Sequence, residues 1–300
     1  MTGLIIDETK ILAQSVITQT VTVTKTENVL YGMRSGLGLL MDIYKPDNAN
    51  HLGVIYIAGS GWGSPSAWDD KPLKEQYSDT AYSGKWPQNL LLKGYTVFMI
   101  NHSFTTKFQY PDIFYDCQRA VRFVRYNAKK YDIDSVHIGV MGHSSGANLA
   151  SMLGVKDTTI LNPKSEIDRV SSKVQAVVSL AAPYILSDYK KTDTAVLTSL
   201  MSRVLSDYLG DLPKEKNGEY ELSGKFAAAS PITYVSSGDA AFLLYYSDDD
   251  PYIPSRQAPA FYKALTDKNV KAKIILCHNC KHQPMPDMNE VDMWYRTHLK

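Results

Sequence analysis

The chain has 300 residues, of which 44% are hydrophobic and 21% are charged, the proportions of a globular protein with a sizeable core. Lysine and arginine number 32 against 31 aspartates and glutamates, so the net charge of +1 gives no reason to expect nucleic acid or an anionic membrane as a partner. No apolar run reaches the ~18 residues of a membrane-spanning helix. The first residues also lack the basic start and long apolar stretch of a signal peptide.

Three cysteines, Cys117, Cys277 and Cys280, are too few and odd in number for a disulfide framework. They fit a reducing compartment, so we expect a cytoplasmic protein, with a secreted protein whose signal peptide was removed as the alternative. Cys277 and Cys280 form a Cys-x-x-Cys pattern beside histidines, but no second ligand pair matches it, so we expect no metal. We expect Cys277 to be a buried strand residue and Cys280 a loop residue.

Strand-like runs alternate with helical ones along the chain. The first two runs cover residues 21–32 and 37–46, and no helix fits between them, so they predict an antiparallel hairpin. Six apolar runs that predict buried strands follow: 52–59, 95–103, 135–144, 175–183, 240–248 and 270–278. Helical patterns are interleaved with them near residues 86–93, 111–132, 146–154, 255–269 and over the last ~15 residues.

This order predicts an α/β fold with an eight-stranded, mostly parallel, doubly wound sheet and an antiparallel N-terminal hairpin. Neither a repeat nor a low-complexity linker divides the chain, so we expect one domain over residues 1–300. Residues 184–230 are longer than a plain crossover needs and contain a helical stretch at 194–210. We interpret them as a small cap over the carboxyl edge of the sheet, where ligands bind in open α/β sheets.

The strongest chemical signal is a Gly-x-Ser-x-Gly motif that spans residues 142–146. It follows a predicted strand and precedes a helix rich in small residues, which is the setting of a nucleophile elbow. The glycines at both ends allow a sharp turn that lifts the Ser144 hydroxyl above the sheet edge. The helix that follows directs its first backbone N–H groups and the positive end of its dipole toward this turn. Ser144 is therefore the candidate nucleophile.

A serine nucleophile needs a histidine base and an acid later in the chain. Three histidines follow Ser144. His282 is favoured because it lies in a loop just after the last strand, whereas His278 lies at the end of that strand and His298 lies near the tail of a helix. The acid should follow the preceding strand, where Asp248, Asp249 and Asp250 stand in a row. The Asp-Pro-x-x-Pro arrangement favours Asp250, while Asp249 and Asp248 stay open as alternatives.

An oxyanion hole needs backbone donors that face the developing negative charge. One is expected from the amide of Ser145, and the other from the glycine-rich loop at residues 57–63, at Ser60 or Gly61. Trp62 and His143 are expected to line the substrate pocket.

Taken together, these motifs resemble those of the bacterial α/β-hydrolase esterases, nearest to the hormone-sensitive-lipase-like and the acetylxylan or feruloyl esterases. The resemblance spans about residues 37–285, and GHSSGAN and the stretch from ASPITYV to DPYIP are its most specific parts. It implies a serine carboxylesterase that needs no cofactor and cleaves acetyl-type, short acyl or feruloyl esters of small molecules or carbohydrates. It also implies that Ser144, Asp250 and His282 form the catalytic triad.

The chain departs from this family in the loop that resembles His-Gly-Gly-Gly-Trp. Ala58 replaces a histidine that usually braces the loop, and Ser60 replaces a glycine. Two alternatives to the esterase follow from the same residues. The triad would also serve an amide hydrolase, either arylformamidase-like or peptidase-like, and the altered loop suits an inactive binding scaffold.

Overall fold

The computed structural model describes residues 3–12, 15–63, 74, 85–188, 203–211, 214–216, 219–221 and 223–300, and within these ranges nine strands form one sheet. The strands are β1 Gly3–Leu12, β2 Ser15–Arg34, β3 Leu37–Pro46, β4 Gly53–Ile57, β5 Thr96–Asn101, β6 Ile138–His143, β7 Ala176–Leu180, β10 Ala241–Ser247 and β11 Ala272–Cys277. Their spatial order in the sheet is β1-β2-β3-β5-β4-β6-β7-β10-β11. A separate two-stranded sheet pairs β8 Lys214–Lys216 with β9 Glu219–Glu221.

The six strands from β5 to β11 along this order run parallel to one another, whereas β1, β2 and β3 pair antiparallel. Every residue of β4, β6 and β7 is buried, which explains why these strands are continuously apolar in sequence. Because the central strands are parallel, their carboxyl ends meet at one edge of the sheet.

Helices cover both faces of the sheet. Their bounds are α1 Lys85–Leu92, α2 Asp112–Tyr126, α3 Ala128–Tyr131, α4 Ser145–Val155, α5 203–209, α6 Gly224–Ala228, α7 Gln257–Asp267 and α8 Met288–His298. Helices α1 and α8 pack on one face through Leu90, Val291 and Tyr295. Helices α2, α4 and α7 pack on the other, where their apolar side chains form the larger buried cluster. Among the described helices, none is long and apolar enough to cross a membrane.

The α/β-hydrolase fold class predicted from the sequence is confirmed. The eight predicted strands correspond to β2–β7, β10 and β11, and the predicted hairpin is the antiparallel pair β2–β3. The additional edge strand β1 was not predicted. Its sequence places a polar run, Asp7 to Lys10, after three apolar residues, so it has no sustained alternation, and it pairs along its whole length with β2.

The predicted cap at residues 184–230 lies partly outside the described residues. Of the helical stretch predicted at 194–210, residues 203–209 form α5, whereas 194–202 are not described. The two-stranded sheet and α6 follow within the same segment. That these residues act as a cap, and that residues 1–300 form one domain, remain predictions.

Candidate active site

Ser144 lies at a sharp bend between β6 and α4. Its backbone has φ 55° and ψ −123°, a conformation that is strained for a residue with a side chain. The N–H of Ser144 donates to the carbonyl oxygen of Leu180 at the end of β7, at 2.9 Å. The bend is therefore tied to the neighbouring strand, and it holds the Ser144 side chain at the carboxyl edge of the sheet.

The glycines on either side of Ser144 are required by close packing. A Cβ atom at Gly142 would collide with the carbonyl oxygen of Gly146, and a Cβ at Gly146 would collide with that of Ile57 in β4. Helix α4 can therefore begin directly against β4 only because position 146 has no side chain. The sharp turn predicted from these glycines is thus accompanied by a close approach of position 146 to β4, which was not predicted.

The side chains of Ser144, His282 and Asp250 form one chain of hydrogen bonds. His282 Nε2 lies 2.8 Å from Ser144 Oγ, and His282 Nδ1 lies 2.7 Å from Asp250 Oδ2. The carboxylate implies that Nδ1 carries the proton and donates it, which leaves Nε2 to accept from the serine hydroxyl. An imidazole between a hydroxyl and a carboxylate can take the hydroxyl proton during nucleophilic attack.

Asp250 is held by its own loop as well as by His282. Its Oδ1 accepts from the backbone N–H groups of Tyr252 and Ile253, at 2.8 and 3.0 Å. The Asp250 side chain is only 2% exposed and that of His282 is 12% exposed. The acid is thus fixed in orientation and screened from water, as an orienting carboxylate requires.

The alternative acids and bases contact different partners. Asp248 pairs with His278 through a 2.6 Å contact between Oδ2 and Nδ1, and both side chains are well exposed. Asp249 Oδ1 accepts from the backbone N–H of Lys281 and from the Ser247 hydroxyl. The remaining candidate base, His298, lies on α8 against Trp294. Asp250 and His282 are the pair that the structure brings to Ser144.

Two further rings flank the imidazole of His282. The ring centroids of Tyr252 and His143 each lie 5.0 Å from that of His282. His143 Nε2 lies 2.8 Å from the backbone carbonyl oxygen of His282, to which it donates. Burial, with a smaller contribution from His282, lowers the pKa of His143 to about 3, so this ring is neutral near pH 7. Predicted as a pocket residue, His143 lies buried between Trp86 and His282.

The glycine-rich loop after β4 lies directly against the nucleophile. A Cβ atom at Gly59 would stand 2.8 Å from the carbonyl oxygen of His143 and 3.0 Å from Ser144 Cβ. The N–H of Ser60 donates to the hydroxyl of Ser145 at 2.9 Å. Of the three amides predicted as oxyanion donors, that of Ser60 is therefore already used. Those of Gly61 and Ser145 have no acceptor among the described residues.

Trp62 is buried against helix α5 and is only 1% exposed. Its ring stacks on that of Tyr208 with centroids 4.2 Å apart and planes 5° from parallel. Val204 of the same helix would lie 3.3 Å from a Cβ atom at Gly61. Trp62 thus connects the glycine-rich loop to the segment predicted as a cap.

The cysteine expectations require a correction. Cys277 is partly exposed rather than buried, and a disulfide joins it to Cys280. The backbone between them turns at Asn279, which has a φ of 57° and brings the two Cα atoms within 5.8 Å. The number of cysteines in a chain bears on a framework of long-range disulfides, but it does not indicate whether a disulfide closes a single tight turn. Neither cysteine is a free thiol available to a metal.

The Ser145 hydroxyl and the contacts of Asp248 and Asp249 were not predicted from the sequence. One signal could have revealed their partners. Strands β10 and β11 are parallel neighbours with Ser247 opposite Cys277, so the residues that follow each strand emerge side by side.

Comparison with known proteins adds a family match. Residues 41–265 match the family model described as BD-FAE. Esterase LipQ of Mycobacterium tuberculosis is 30% identical over 254 residues, which cover 81% of this chain and 53% of LipQ. This chain therefore spans about half the length of that relative. Kynurenine formamidase avaC of Aspergillus versicolor is 25% identical over 240 residues, or 73% of this chain and 77% of the relative.

The solved structures agree in fold. The structure of a truncated carbohydrate esterase from gut microbiota has a TM-score of 0.67 and 24% identity to this chain. The match covers 92% of this chain and 96% of the other. The resemblance to α/β-hydrolase esterases predicted from the sequence is thus confirmed at the level of family and fold.

Proposed function

Because this chain belongs to the BD-FAE family, we propose that it is a serine esterase that hydrolyses acetyl-type, short acyl or feruloyl esters, including esters of carbohydrates. The observation that carries the proposal is the hydrogen-bonded chain from Ser144 through His282 to Asp250, with links of 2.8 and 2.7 Å. The similarity to esterase LipQ and to the gut carbohydrate esterase supports the same class of reaction.

The proposed reaction has two acyl-transfer steps. His282 removes the proton from Ser144 as the hydroxyl attacks the ester carbonyl, and Asp250 stabilises the imidazolium that forms. His282 then protonates the leaving alcohol, which departs and leaves an acyl-enzyme on Ser144. Water, activated by the same imidazole, hydrolyses the acyl-enzyme and restores the serine. No step requires a cofactor.

The oxyanion is proposed to lie between the amides of Gly61 and Ser145. Both N–H groups are without an acceptor in the described part of the chain, and Ser145 begins helix α4, whose amino end carries positive partial charge. The amide of Ser60 instead donates to Ser145 Oγ, so we assign it to the support of the loop.

The test compares wild type with Ser144→Ala on p-nitrophenyl acetate. Loss of the nucleophile should lower kcat by on the order of 10⁶-fold, as in other serine hydrolases. A fluorophosphonate probe should label the wild type covalently and leave the variant unlabelled. A variant that cleaves the ester as fast as wild type would refute the proposal. A wild type that the probe does not label would favour the inactive binding scaffold.

An amide hydrolase is the second candidate, and the match to the kynurenine formamidase of Aspergillus versicolor favours it. The same three side chains would serve both reactions, which differ in the leaving group that His282 must protonate. A panel with p-nitrophenyl esters of increasing length, acetylated xylan, methyl ferulate and N-formylkynurenine distinguishes them. A kcat/KM highest for N-formylkynurenine would replace the esterase with the formamidase.

A further inference from the structure

Two neighbouring loops meet beside the proposed catalytic histidine. One follows β10 and contains Asp248, Asp249 and Asp250, and the other follows β11 and contains His282. Each aspartate accepts hydrogen bonds from the second loop, and together they contact four of its five residues from 278 to 282. The exposed carboxylates of Asp248 and Asp249 and the buried one of Asp250 thus all act as acceptors for the neighbouring loop.

The second loop has a backbone that needs such support. Asn279 and Lys281 have φ values of 57° and 52°. These values lie in the left-handed region, which residues with a side chain adopt at an energetic cost. Lys281 immediately precedes His282. The orientation of the peptide group of Lys281 therefore determines the position of the His282 backbone, from which the imidazole side chain extends. The disulfide between Cys277 and Cys280 closes the first part of this loop but does not include Lys281.

Asp249 is the acceptor that holds the backbone at Lys281. Its Oδ1 lies 2.8 Å from Lys281 N and 2.6 Å from the hydroxyl of Ser247, which is only 1% exposed. The buried Ser247 hydroxyl fixes the direction of the carboxylate, and these two bonds lower the pKa of Asp249, which stays ionised near neutral pH. The charge strengthens its bond to the Lys281 amide.

The pair of Asp248 and His278 is a weaker support. Its side chains are 44% and 70% exposed, and exposed ion pairs contribute little to a fixed geometry. Asp249 is also exposed, but the buried Ser247 hydroxyl directs its carboxylate. Asp248 also accepts from the amide of Asn279, but that contact is 3.3 Å long and lies three residues from His282.

We propose that Asp249 is a positioning residue, which holds His282 within reach of Ser144 by binding the amide of Lys281. The inference rests on the proposed function, because it concerns the histidine of that same site. Asp249 itself touches neither the substrate nor the reacting atoms, and its effect passes through the backbone of one residue.

The test uses two substitutions that remove the same charge. Asp249→Ala removes the acceptor, whereas Asp249→Asn keeps an oxygen that can accept from the Lys281 amide. We expect Asp249→Ala to lower kcat by between about 10- and 100-fold, because a small displacement of His282 lengthens its contact with Ser144. Asp249→Asn should remain within about twofold of wild type. Asp267→Asn removes an exposed carboxylate on α7 and serves as the control for charge alone.

Two further readouts separate positioning from general stability. In Asp249→Ala, kcat should fall with little change in KM, and the rate of fluorophosphonate labelling should fall with it. If Asp249→Ala does not fold, Ser247→Ala tests the same link and should give a smaller change of the same kind.

Equal kcat and labelling rate in wild type and Asp249→Ala would overturn the inference, as would an equal loss in the alanine and asparagine variants. Both outcomes require a wild type that the probe labels. A wild type that is not labelled would instead overturn the proposed function.

Discussion

Ser145 contributes two separate groups to the site. Its hydroxyl, buried with the rest of the residue at 1% exposure, accepts from the amide of Ser60, 85 positions earlier. Its own amide is the proposed oxyanion donor. In the family that the sequence resembles, a histidine braces this loop, and Ala58 stands in its place here. The Ser145 hydroxyl therefore supplies a brace from the other side of the loop.

Substitution of Ser145 by alanine tests this brace. It should lower the free energy of unfolding by about 1 kcal/mol, because the Ser60 amide loses its acceptor. It should also lower kcat by about 10-fold, since the Gly61 amide next to Ser60 is no longer held in place. Steady-state kinetics and urea unfolding measure both.

Ser151→Ala is the matched control for Ser145→Ala. Ser151 is a fully buried serine of the same helix, and its hydroxyl bonds to that of Ser179. Its replacement should lower stability by a similar amount and leave kcat unchanged. Equal kcat in the Ser145 and Ser151 variants would contradict the brace.

At this scale the sequence predicts residues whose role follows from chain order. Ser144 and His282 follow from the motif and from the place of the last strand. Asp250 follows from the two prolines after it, although the two adjacent aspartates could not be excluded as the acid. The Ser60–Ser145 bond and the contact of Asp249 with Lys281 could not be predicted, because they depend on the conformations of loops far apart in sequence.

Among the elements, helix α5 contacts the glycine-rich loop through an aromatic side chain. Tyr208 stacks on Trp62, and its backbone carbonyl accepts from the N–H of Tyr110 at 2.8 Å. Its ring is completely buried, whereas its hydroxyl has no partner within the described residues. The ring, rather than the hydroxyl, therefore connects α5 to the loop.

Two substitutions at Tyr208 separate these parts. Tyr208→Ala should lower the free energy of unfolding by about 3–5 kcal/mol, because it removes a buried aromatic ring and leaves a cavity. It should also reduce esterase activity, since Trp62 loses the surface on which it stacks. Tyr208→Phe keeps the stack and should retain both stability and activity. Thermal unfolding and hydrolysis of p-nitrophenyl acetate test this, and an alanine variant as active as the phenylalanine variant would contradict it.

The elements themselves were mostly predictable because burial on both faces leaves a strong apolar pattern. Strands β4, β6 and β7 and the helices between them could be read from that pattern. Strand β1 could not, since an edge strand forms through pairing with its neighbour and needs no apolar alternation of its own.

The molecule as a whole buries two neutral histidines. Burial lowers the pKa of His143 to about 3 and also lowers that of His102 from its ordinary value. In the unfolded chain each would titrate near pH 6.5. Between these values the unfolded chain binds more protons than the folded protein, so folding stability falls as the pH decreases below about 6.5.

This linkage predicts lower stability in mild acid. At pH 5, His143 alone should reduce the free energy of unfolding by about 2 kcal/mol relative to its value well above pH 6.5. Urea unfolding at pH 7.5 and pH 5 measures the difference, in a range above that in which most carboxyl groups titrate. His143→Gln should show a smaller difference between the two pH values, with His102 accounting for part of what remains. An unchanged difference in the variant would show that His143 does not carry this effect.

Strand β7 lies between the strands that carry the proposed triad, yet none of the three triad residues follows it. Ser144 follows β6, and Asp250 and His282 follow β10 and β11. Residues 184–230 leave the sheet from β7. This segment can therefore change in length while the strands that carry the triad keep their register, provided that Tyr208 keeps its stack on Trp62. Chimeras that graft this segment from related chains and retain Tyr208 are thus a route to altered substrate choice with the hydrolytic chemistry kept.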